Sequence, residues 1–300
     1  MISENIIYDS IVIGSGPAGL TASMYLARAG YNVLNITGEE PGGNLANIKL
    51  LENYPGVLKC SGYDLFKTMM EQCKNVGVEF YEYENVAFLK NEDSVYKVYF
   101  DDERFLTCKT IILSIGGSHK TLGLENEEEL FGDGISFCAT CDGPVYENKS
   151  VIVVGGGNSA FDFALTLSKY CKDVTIIHRR NEFRASKDMI DKVKNLDNVK
   201  FILDSNVTSI EKNHFKKMLD LKINDDEIIS TDGVFYAIGF TPNMMMIKNN
   251  HEDCHDGIFE CGDVNQKNYM QVITAAGDGC RAALDCIKYL QKMKDEWVWF

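Results

Sequence analysis

Two glycine-rich turns, one near the start of the chain and one near its middle, constrain the fold more than any other feature. Each turn follows a short apolar segment and precedes a segment of good helix formers. Glycines in such a turn let the backbone approach a pyrophosphate closely, and the N-terminus of the following helix attracts its charge. A glycine pattern alone is weak evidence for a nucleotide site, but within a strand–turn–helix–strand unit it predicts a dinucleotide-binding site. The turns consist of Gly14, Ser15, Gly16, Pro17, Ala18 and Gly19, and of Gly155, Gly156, Gly157, Asn158, Ser159 and Ala160.

The segments that flank each turn complete the two units. The strands are apolar along their whole length, as expected of parallel strands that are buried on both faces. The first unit is predicted as a strand over 6–13, a helix over 20–29 and a strand over 31–37. The second is predicted as a strand over 150–154, a helix over 161–170 and a strand over 173–177.

The two units differ in charge at the end of their second strand. In the first unit no Asp or Glu ends the second strand near Ile36 or Thr37, so a ribose hydroxyl there would need Thr37, Glu39 or Glu40 instead. The corresponding strand of the second unit ends in basic residues. Arginines suit a 2′-phosphate, through forked and charge-assisted hydrogen bonds, whereas an acid would suit a 2′-hydroxyl. In a chain of net charge −14 this cluster predicts NADPH rather than NADH, the alternative being a solvated basic patch. Its members are His178, Arg179, Arg180 and Arg184.

Between the two turns lies a pair of cysteines, Cys138 and Cys141, followed by Asp142. A dithiol at this spacing can close into a disulfide and reopen, which stores two electrons. Asp142 is a candidate general acid for protonating the leaving thiolate, although it could also be a turn or cap residue. The alternatives for the cysteines are half of a zinc site or ordinary packing. Zinc needs two more ligands at close spacing, and the remaining Cys and His residues are scattered apart from Cys254, His255 and Cys261.

Composition narrows the function classes. Ten cysteines without a secretory signal are typical of reduced thiols, so we expect a cytoplasmic protein. No apolar run is long enough to cross a bilayer, and the acidic N-terminus resembles neither a signal nor a transit peptide. A net charge of −14 opposes nucleic-acid binding, which depends on Lys and Arg at phosphates. The four histidines at 119, 214, 251 and 255 are expected at the surface, and no metal site is predicted.

The order of the segments predicts a nested arrangement of domains. After the first unit come a helix over 63–75, strands over 78–100 and a strand over 110–115 that ends in two glycines. The second unit follows, completed by strands over 198–225. A strand over 233–239 then leads back, and a strand over 257–263 and a closing helix over 273–292 end the chain. We therefore expect an α/β fold in which the second dinucleotide-binding domain is inserted into the first. The boundaries are 1–116 and 242–300 for the outer domain and 117–241 for the inserted one.

Several of these motifs together resemble the low-molecular-weight thioredoxin reductases of the bacterial type. The resemblance covers most of the chain, and the segment CATCDG between two Rossmann turns is its most specific marker. It implies FAD on the outer domain, NADPH on the inserted domain, a homodimer, and thioredoxin as the protein substrate. The markers are the two glycine turns, the segment 138–143, the basic cluster 178–184, the triplet Gly262-Asp263-Val264 and the stretch 271–284.

The resemblance also implies roles for individual residues. Cys141 is expected to face the flavin and accept electrons, and Cys138 to attack the partner disulfide. The nicotinamide site and the cysteines both need the flavin, and rotation of the inserted domain about Gly116-Gly117 and 241–243 would let them take turns there. Asp263 is expected to bond the ribityl hydroxyls. The FAD residues are expected to be Gly14, Ser15, Gly16, Pro17, Ala18, Gly43, Asn44, Asn53, Val86, Gly116, Asp263, Gln271 and Val272, and the NADPH residues Gly156, Gly157, Asn158, Ser159, Ala160, His178, Arg179, Arg180 and Arg184.

The chain departs from this family in four places. Asn44 stands where the family usually has Gln, and Met270 where it usually has Arg. The segment 243–257 is short, and the tail 297–300 has no family counterpart. Two other functions stay open at this point: a flavin-linked reductase of another disulfide carrier, or one fed by ferredoxin, and a flavin redox sensor that does not turn over.

Overall fold

The computed structural model describes residues 6–92, 95–213, 215, 218–243, 256–265 and 269–297. Most of the short segment 243–257, the end of the chain and the side chain of Trp297 lie outside this description. The chain divides into two compact units. The outer unit comprises the residues up to Ser118 and from Pro242 onward, and the inserted unit comprises His119–Thr241.

The described residues form seventeen strands and six α-helices, with short 3₁₀ turns between them. The helices are α1 (Pro17–Arg28), α2 (Gly62–Asn75), α3 (Ala139–Asp142), α4 (Asn158–Leu167), α5 (Lys187–Lys194) and α6 (Val272–Trp297). The strands are β1 (Ile7–Ile13), β2 (Val33–Ile36), β3 (Glu79–Tyr81), β4 (Phe88–Glu92), β5 (Val95–Tyr99), β6 (Phe105–Leu113), β7 (Gly117–His119), β8 (Ile135–Ser136), β9 (Ser150–Val154), β10 (Asp173–Ile177), β11 (Val199–Ile202), β12 (Val207–Asn213), β13 (Met218–Ile223), β14 (Glu227–Thr231), β15 (Gly233–Tyr236), β16 (Phe240–Pro242) and β17 (Ile258–Glu260).

The outer unit is built on a seven-stranded sheet. Its path is β3-β2-β1-β6-β5-β4, and β17 pairs in parallel with β6. The strands β1, β2, β3 and β6 run parallel, and β4 and β5 add an antiparallel meander. One hydrophobic cluster joins the sheet to α1, α2 and α6, and a second fills the side of the meander. Because β17 and α6 come from the end of the chain, both ends of the sequence are needed for one core.

The inserted unit has a parallel five-stranded sheet in the order β11-β10-β9-β15-β8. The helices α4 and α5 cover one face, where Phe161 and Leu167 are fully buried. An antiparallel sheet of β12, β13 and β14 covers the other face. The parallel strands are thus buried on both sides, as their apolar sequences require.

The chain crosses between the units along β7 and β16, which pair in a two-stranded sheet. Among the described residues, no helix combines the length and the apolar character needed to cross a bilayer.

The strands of the second Rossmann unit match the prediction most closely, whereas its helix α4 begins and ends three residues earlier than predicted. The strands β9 and β10 have the predicted bounds. The first helix begins earlier than predicted, because Pro17 supplies a favourable first helical position. The closing helix begins one residue earlier and ends later than predicted. The short helix α5 was not predicted.

Candidate active site

The first glycine turn joins β1 to α1 and leaves one position open. A Cβ at Gly19 would lie 2.0 Å from the carbonyl oxygen of Gly14, so helix and turn touch there. At Gly16 the nearest atom to such a Cβ would be the carbonyl oxygen of Gly42, 3.9 Å away. Ser15 is buried, and its hydroxyl donates to the carbonyl of Thr37 and accepts from the amide of Gly42. The turn is therefore braced from within, and its outer side at Gly16 has room for a phosphate.

The end of β2 offers few hydrogen-bonding groups to a ribose. The hydroxyl of Thr37 donates to the carbonyl of Gly38 at 2.9 Å and accepts from the amide of Tyr83 at 2.9 Å. Thr37, Glu39 and Glu40 were the candidates for binding a ribose hydroxyl. The hydroxyl of Thr37 already forms hydrogen bonds with backbone groups, and Glu39 and Glu40 are exposed. The predicted residue Val86 is 4% exposed and packs in the core, so its side chain contributes to the fold.

A second loop and the last helix meet the first turn. A Cβ at Gly262 would lie 2.9 Å from Cβ of Ala18, and one at Gly279 would lie 2.0 Å from the carbonyl oxygen of Ala18. The turn Gly262–Val264 and the helix α6 therefore pack against the start of α1. Burial, and then the negative charge of Asp278, raise the pKa of Asp263 in this turn to about 6.

Two of the other predicted FAD residues form a hydrogen-bonded pair. The side-chain amide of Asn53 donates to Oε1 of Gln271 at 3.4 Å, although the two are far apart in sequence. The side-chain amide of Asn44 donates to the carbonyl of Gly117 at 2.9 Å. Met270 accepts from Nε2 of Gln271 through its carbonyl, which any residue at that position provides. Gly43 lies in a 3₁₀ turn beside Asn44. Gly116 lies between β6 and β7, directly before Gly117, and Val272 follows Gln271 as the first residue of α6.

The second glycine turn joins β9 to α4 and is braced differently. A Cβ at Gly156 would lie 2.4 Å from the imidazole ring of His178, which therefore forms the floor of the turn. No atom of the described residues lies within 4 Å of the corresponding position at Gly157, so this position is open on that side. Asn158 and Ser159 are exposed at the start of α4, and Ala160 is buried beneath them.

The basic cluster lies directly beside this turn. The amide of Arg184 donates to the carbonyl of Gly156 at 2.8 Å, and the amide of Ser186 donates to Oδ1 of Asn158 at 2.9 Å. The side chains of Arg179, Arg180 and Arg184 are exposed, and within the described part of the chain none of them forms an ion pair. Three free guanidinium groups beside an open glycine turn match a phosphorylated ribose.

His178 differs from its basic neighbours. It is 5% exposed, and its Nε2 lies 3.2 Å from the carbonyl of Glu182. Burial lowers its pKa, and the charges of the neighbouring arginines lower it further. A neutral, buried ring under Gly156 supports the turn, and it leaves the phosphate to the arginines.

Cys138 and Cys141 form a disulfide, with Cα atoms 5.3 Å apart. Cys138 precedes the short helix α3, and the amide of Cys141 donates to Sγ of Cys138 at 3.1 Å. A backbone N–H aimed at this sulfur stabilises its thiolate when the disulfide is reduced. The geometry thus favours Cys138 as the nucleophile.

Asp142 is linked to Cys138 through a residue that the sequence did not single out. The hydroxyl of Ser136 donates to Oδ2 of Asp142 at 2.6 Å and accepts from the amide of Cys138 at 3.0 Å. Ser136 lies at the end of β8, and no motif marks it. It holds the carboxyl of Asp142 beside the disulfide.

An aromatic cluster supports the segment before Cys138. The ring of Phe137 stacks on His119 at 4.7 Å and contacts Phe131 and Tyr236 edge-on at 5.1 and 5.7 Å. His119 also contacts Phe240 at 5.2 Å. The prediction that His119 is a surface residue is wrong: it is partly buried, and burial lowers its pKa. The other three histidines named with it lie outside the described residues.

No group of three or more His, Cys, Asp or Glu side chains that could hold a metal occurs within the described ranges. Cys254 and His255 lie outside those ranges. Both cysteines of the pair are occupied by their disulfide, which supports a redox centre over half of a zinc site.

The fold and site therefore define a class, that of the two-domain oxidoreductases which pass electrons between dinucleotides and a disulfide. The family profile described as pyridine nucleotide-disulphide oxidoreductase matches residues 8–279. A thioredoxin reductase from Listeria monocytogenes is 36% identical over 98% of this chain and 98% of its own, and one from Rickettsia typhi is 37% identical over 94% and 98%. The crystal structure of thioredoxin reductase from Streptococcus pyogenes superposes with a TM-score of 0.88 at 35% identity, covering 96% of this chain and 99% of that one.

The chain belongs to the pyridine nucleotide-disulphide oxidoreductases, and within them to the thioredoxin reductases. This membership brings FAD and NADPH as cofactors. The structure fits both groups. Gly16 and Gly157 are open where a pyrophosphate would approach, unpaired arginines stand beside the second turn, and a buried oxygen of Asp278 has no partner in the described chain.

Proposed function

We propose that this protein reduces the disulfide of thioredoxin with electrons from NADPH. The observation that carries the proposal is the Cys138–Cys141 disulfide, with the amide of Cys141 directed at Sγ of Cys138. The inserted unit also contains the second glycine turn and its three free arginines. A chain that only sensed flavin oxidation would need neither a second dinucleotide site nor a nucleophilic thiol.

The chain's residues would hold the two cofactors as follows. Backbone amides at Gly16 and Gly157 would bind the pyrophosphates, aided by the N-termini of α1 and α4. Arg179, Arg180 and Arg184 would bind the 2′-phosphate of NADPH. Asp263 would accept hydrogen bonds from the ribityl chain, and Gln271 would be held in place by Asn53. When bound, FAD supplies the relay that accepts hydride from NADPH and passes two electrons to a disulfide.

The cysteines divide the exchange reaction between them. Reduction of the disulfide takes up two electrons and two protons and yields two thiols. Cys138 then attacks the thioredoxin disulfide as a thiolate, forming a mixed disulfide and releasing one thiolate. Cys141 attacks Sγ of Cys138, which releases reduced thioredoxin and restores the starting disulfide. The amide of Cys141, which donates to Sγ of Cys138, favours the charged form that the first attack requires.

Asp142 would supply the proton that the leaving thiolate needs. Ser136 fixes its carboxyl by a hydrogen bond of 2.6 Å and is itself bonded to the amide of Cys138. Because the nicotinamide and the disulfide must meet the same flavin in turn, the two crossings, at Gly116-Gly117 and at 241–243, are proposed as hinges between these steps.

We further propose a cytoplasmic homodimer. Seven of the described cysteines are free thiols, five of them buried, which suits a reducing compartment. The dimer rests on family resemblance alone. A light-scattering mass of one chain at micromolar concentration would reject it.

The test is anaerobic titration of the purified yellow protein with NADPH, followed by turnover with thioredoxin. The expected result is bleaching of the flavin by NADPH, faster than by NADH, and NADPH consumption that depends on thioredoxin. Bleaching without thioredoxin-dependent turnover would point to another disulfide carrier, and bleaching only by reduced ferredoxin would contradict the proposal. The absence of any turnover with thioredoxin, other carriers or DTNB would favour a sensor.

A further inference from the structure

Asp278 is a buried acid on α6 that the proposed mechanism does not use. Its side chain is 7% exposed. One carboxylate oxygen pairs with Arg281 on the next turn of the helix. The other, Oδ2, is buried and has no hydrogen-bond partner among the described residues. Leaving a buried charged acceptor without a donor is costly, so such an atom calls for an explanation.

The position of Asp278 points to a ligand. Gly279, its neighbour, touches the carbonyl of Ala18 in the first glycine turn, and Ala275, one helical turn earlier, faces Gly262. This stretch of α6 therefore lies against both loops that converge on the FAD site. The charge of Asp278 also acts on the loop residues: after burial, it is the next cause that raises the pKa of both Cys261 and Asp263.

A second acid on the same helix provides a contrast. Asp285 pairs with Lys288 three residues on, in the same spacing as Asp278 and Arg281, but its side chain is 60% exposed. An exposed pair of this kind contributes little to stability, and water satisfies its remaining oxygen. The ion pair alone therefore does not explain why Asp278 is buried beside the glycine turn.

We propose that Asp278 is an additional cofactor-binding residue, whose Oδ2 accepts a hydrogen bond from a hydroxyl of the FAD ribityl chain next to Asp263. A carboxylate can only accept, and a polyol chain offers several hydroxyl donors. Two acids at one polyol can bind adjacent hydroxyls. This inference rests on the proposed function, because it assumes that the first glycine turn holds FAD.

The test compares the FAD-loaded enzyme with its Asp278→Asn, Arg281→Ala and Asp285→Asn variants. In Asp278→Asn the amide oxygen can still accept from Arg281, but the amide nitrogen replaces Oδ2 and cannot accept a hydrogen bond. Flavin release is measured by the rise of FAD fluorescence after dilution, as a dissociation constant. We expect the constant to rise about 10- to 100-fold in Asp278→Asn, as for loss of a hydrogen bond to a charged group. Arg281→Ala and Asp285→Asn should stay within about threefold of the parent, well below one charged hydrogen bond.

A thermal melt with and without added FAD separates binding from folding. We expect Asp278→Asn to lose part of the stabilisation that FAD confers, while its flavin-free melting temperature follows that of Asp285→Asn. Parental FAD affinity in Asp278→Asn, or equal weakening in Arg281→Ala, would overturn the inference and leave the proposed function intact. A parent protein that binds no FAD would overturn the proposed function itself.

Discussion

The two dinucleotide sites of this protein share a motif and differ in what surrounds it. Around the first turn the chain adds a second loop, Gly262–Val264, and the helix α6, both in contact with Ala18. Around the second turn it adds a buried ring, His178, as a floor and three exposed arginines at the rim. One site is enclosed by distant parts of the sequence, and the other takes its floor and its rim from residues 178–184, close to the turn in the sequence.

This difference matches two kinds of cofactor use. A ligand held by several elements, with buried acids nearby, can remain bound through many turnovers. A ligand held by exposed charges binds quickly and leaves readily, because solvated ion pairs are weak and steer association. FAD stays with the enzyme, whereas NADPH has to bind and leave in every cycle. The elements and side chains around a glycine turn, more than the turn itself, therefore distinguish a cofactor that stays bound from one that is consumed.

The largest expected effect comes from blocking electron transfer to thioredoxin while both dinucleotide sites stay intact. Cys138→Ser and Cys141→Ser should each lower thioredoxin reduction by orders of magnitude, because a monothiol cannot complete the exchange. NADPH should still bleach the flavin in both variants, with reoxidation left to oxygen. Stopped-flow flavin absorbance and steady-state turnover measure the two halves. Near-parental thioredoxin reduction in either variant would contradict the assignment of the redox centre.

A smaller effect should follow from Asp142→Asn at the same centre. The carboxyl would lose its proton-donating role, while the hydrogen bond from Ser136 could persist. General acid catalysis is typically worth about 10²–10⁴-fold, and water replaces part of it. Turnover with thioredoxin should therefore fall less than in the cysteine variants, with flavin bleaching by NADPH unchanged. Turnover at the parental rate would show that Asp142 is only a turn or cap residue and not the general acid.

The arginines test whether the second site is charge-based. Replacing Arg179 and Arg180 with Ala should raise KM for NADPH about 10- to 100-fold, since each hydrogen bond to a charged phosphate contributes about 1.5–3 kcal/mol and solvent screens part of it. KM for NADH should change little, because it lacks the phosphate, and FAD content should not change. The variant Lys172→Ala, another exposed cation of this unit, is a matched control. Equal kinetic efficiency with NADPH and NADH in the parent enzyme would contradict the charge-based site.

Substitutions at two glycines of the second turn should separate effects on folding stability from effects on NADPH binding. Gly156→Ala places a methyl group 2.4 Å from the His178 ring, and overpacking of this kind costs about 1–3 kcal/mol of unfolding free energy. The methyl group of Gly157→Ala meets no atom of the described residues within 4 Å, so this variant should leave the unfolding free energy nearly unchanged and weaken NADPH binding instead. Denaturant melts and NADPH titrations on both variants check this. If the two variants lost stability equally, Gly157 would not be an open position.

The smallest effect concerns the first site and pH. The folded pKa of Asp263, about 6, lies above its unfolded value, so this group favours the folded state below about pH 4. That contribution is lost as the pH rises towards 6 and beyond. In flavin-free protein, the parent should therefore lose about 1–2 kcal/mol relative to Asp263→Asn between pH 4 and 7, allowing for partial exposure. Parallel stability curves for parent and variant would show that the acid is not buried in this way.

The Rossmann units could be predicted from the sequence because short-range patterns dictate them. Apolar strands of five residues, a glycine turn and a helix leave little choice, and β9 and β10 match the prediction at both ends. The helix α5 was not predicted, because its eight residues are mostly charged and give only a short apolar pattern. Ser136 was not predicted because no motif marks it. His119 and Asp278 were not predicted because the segments they lie against, at Phe240 and at the first glycine turn, are distant in the sequence. His119 was expected in solvent, since a single histidine gives no sign that Phe137 and Phe240 will enclose it.

The pairing of β17 with β6 and of α6 with α1 also sets the order in which the protein can be completed during translation. The ribosome makes β1 and its glycine turn first, then the whole inserted unit, and only afterwards the strand and helix that complete the outer core. The inserted unit has all its strands once residue 236 has emerged, so it can fold while the outer unit waits. A nascent chain should thus become able to retain FAD only after α6 has been made, and truncation within α6 should leave a folded NADPH-binding unit beside an unfinished outer unit.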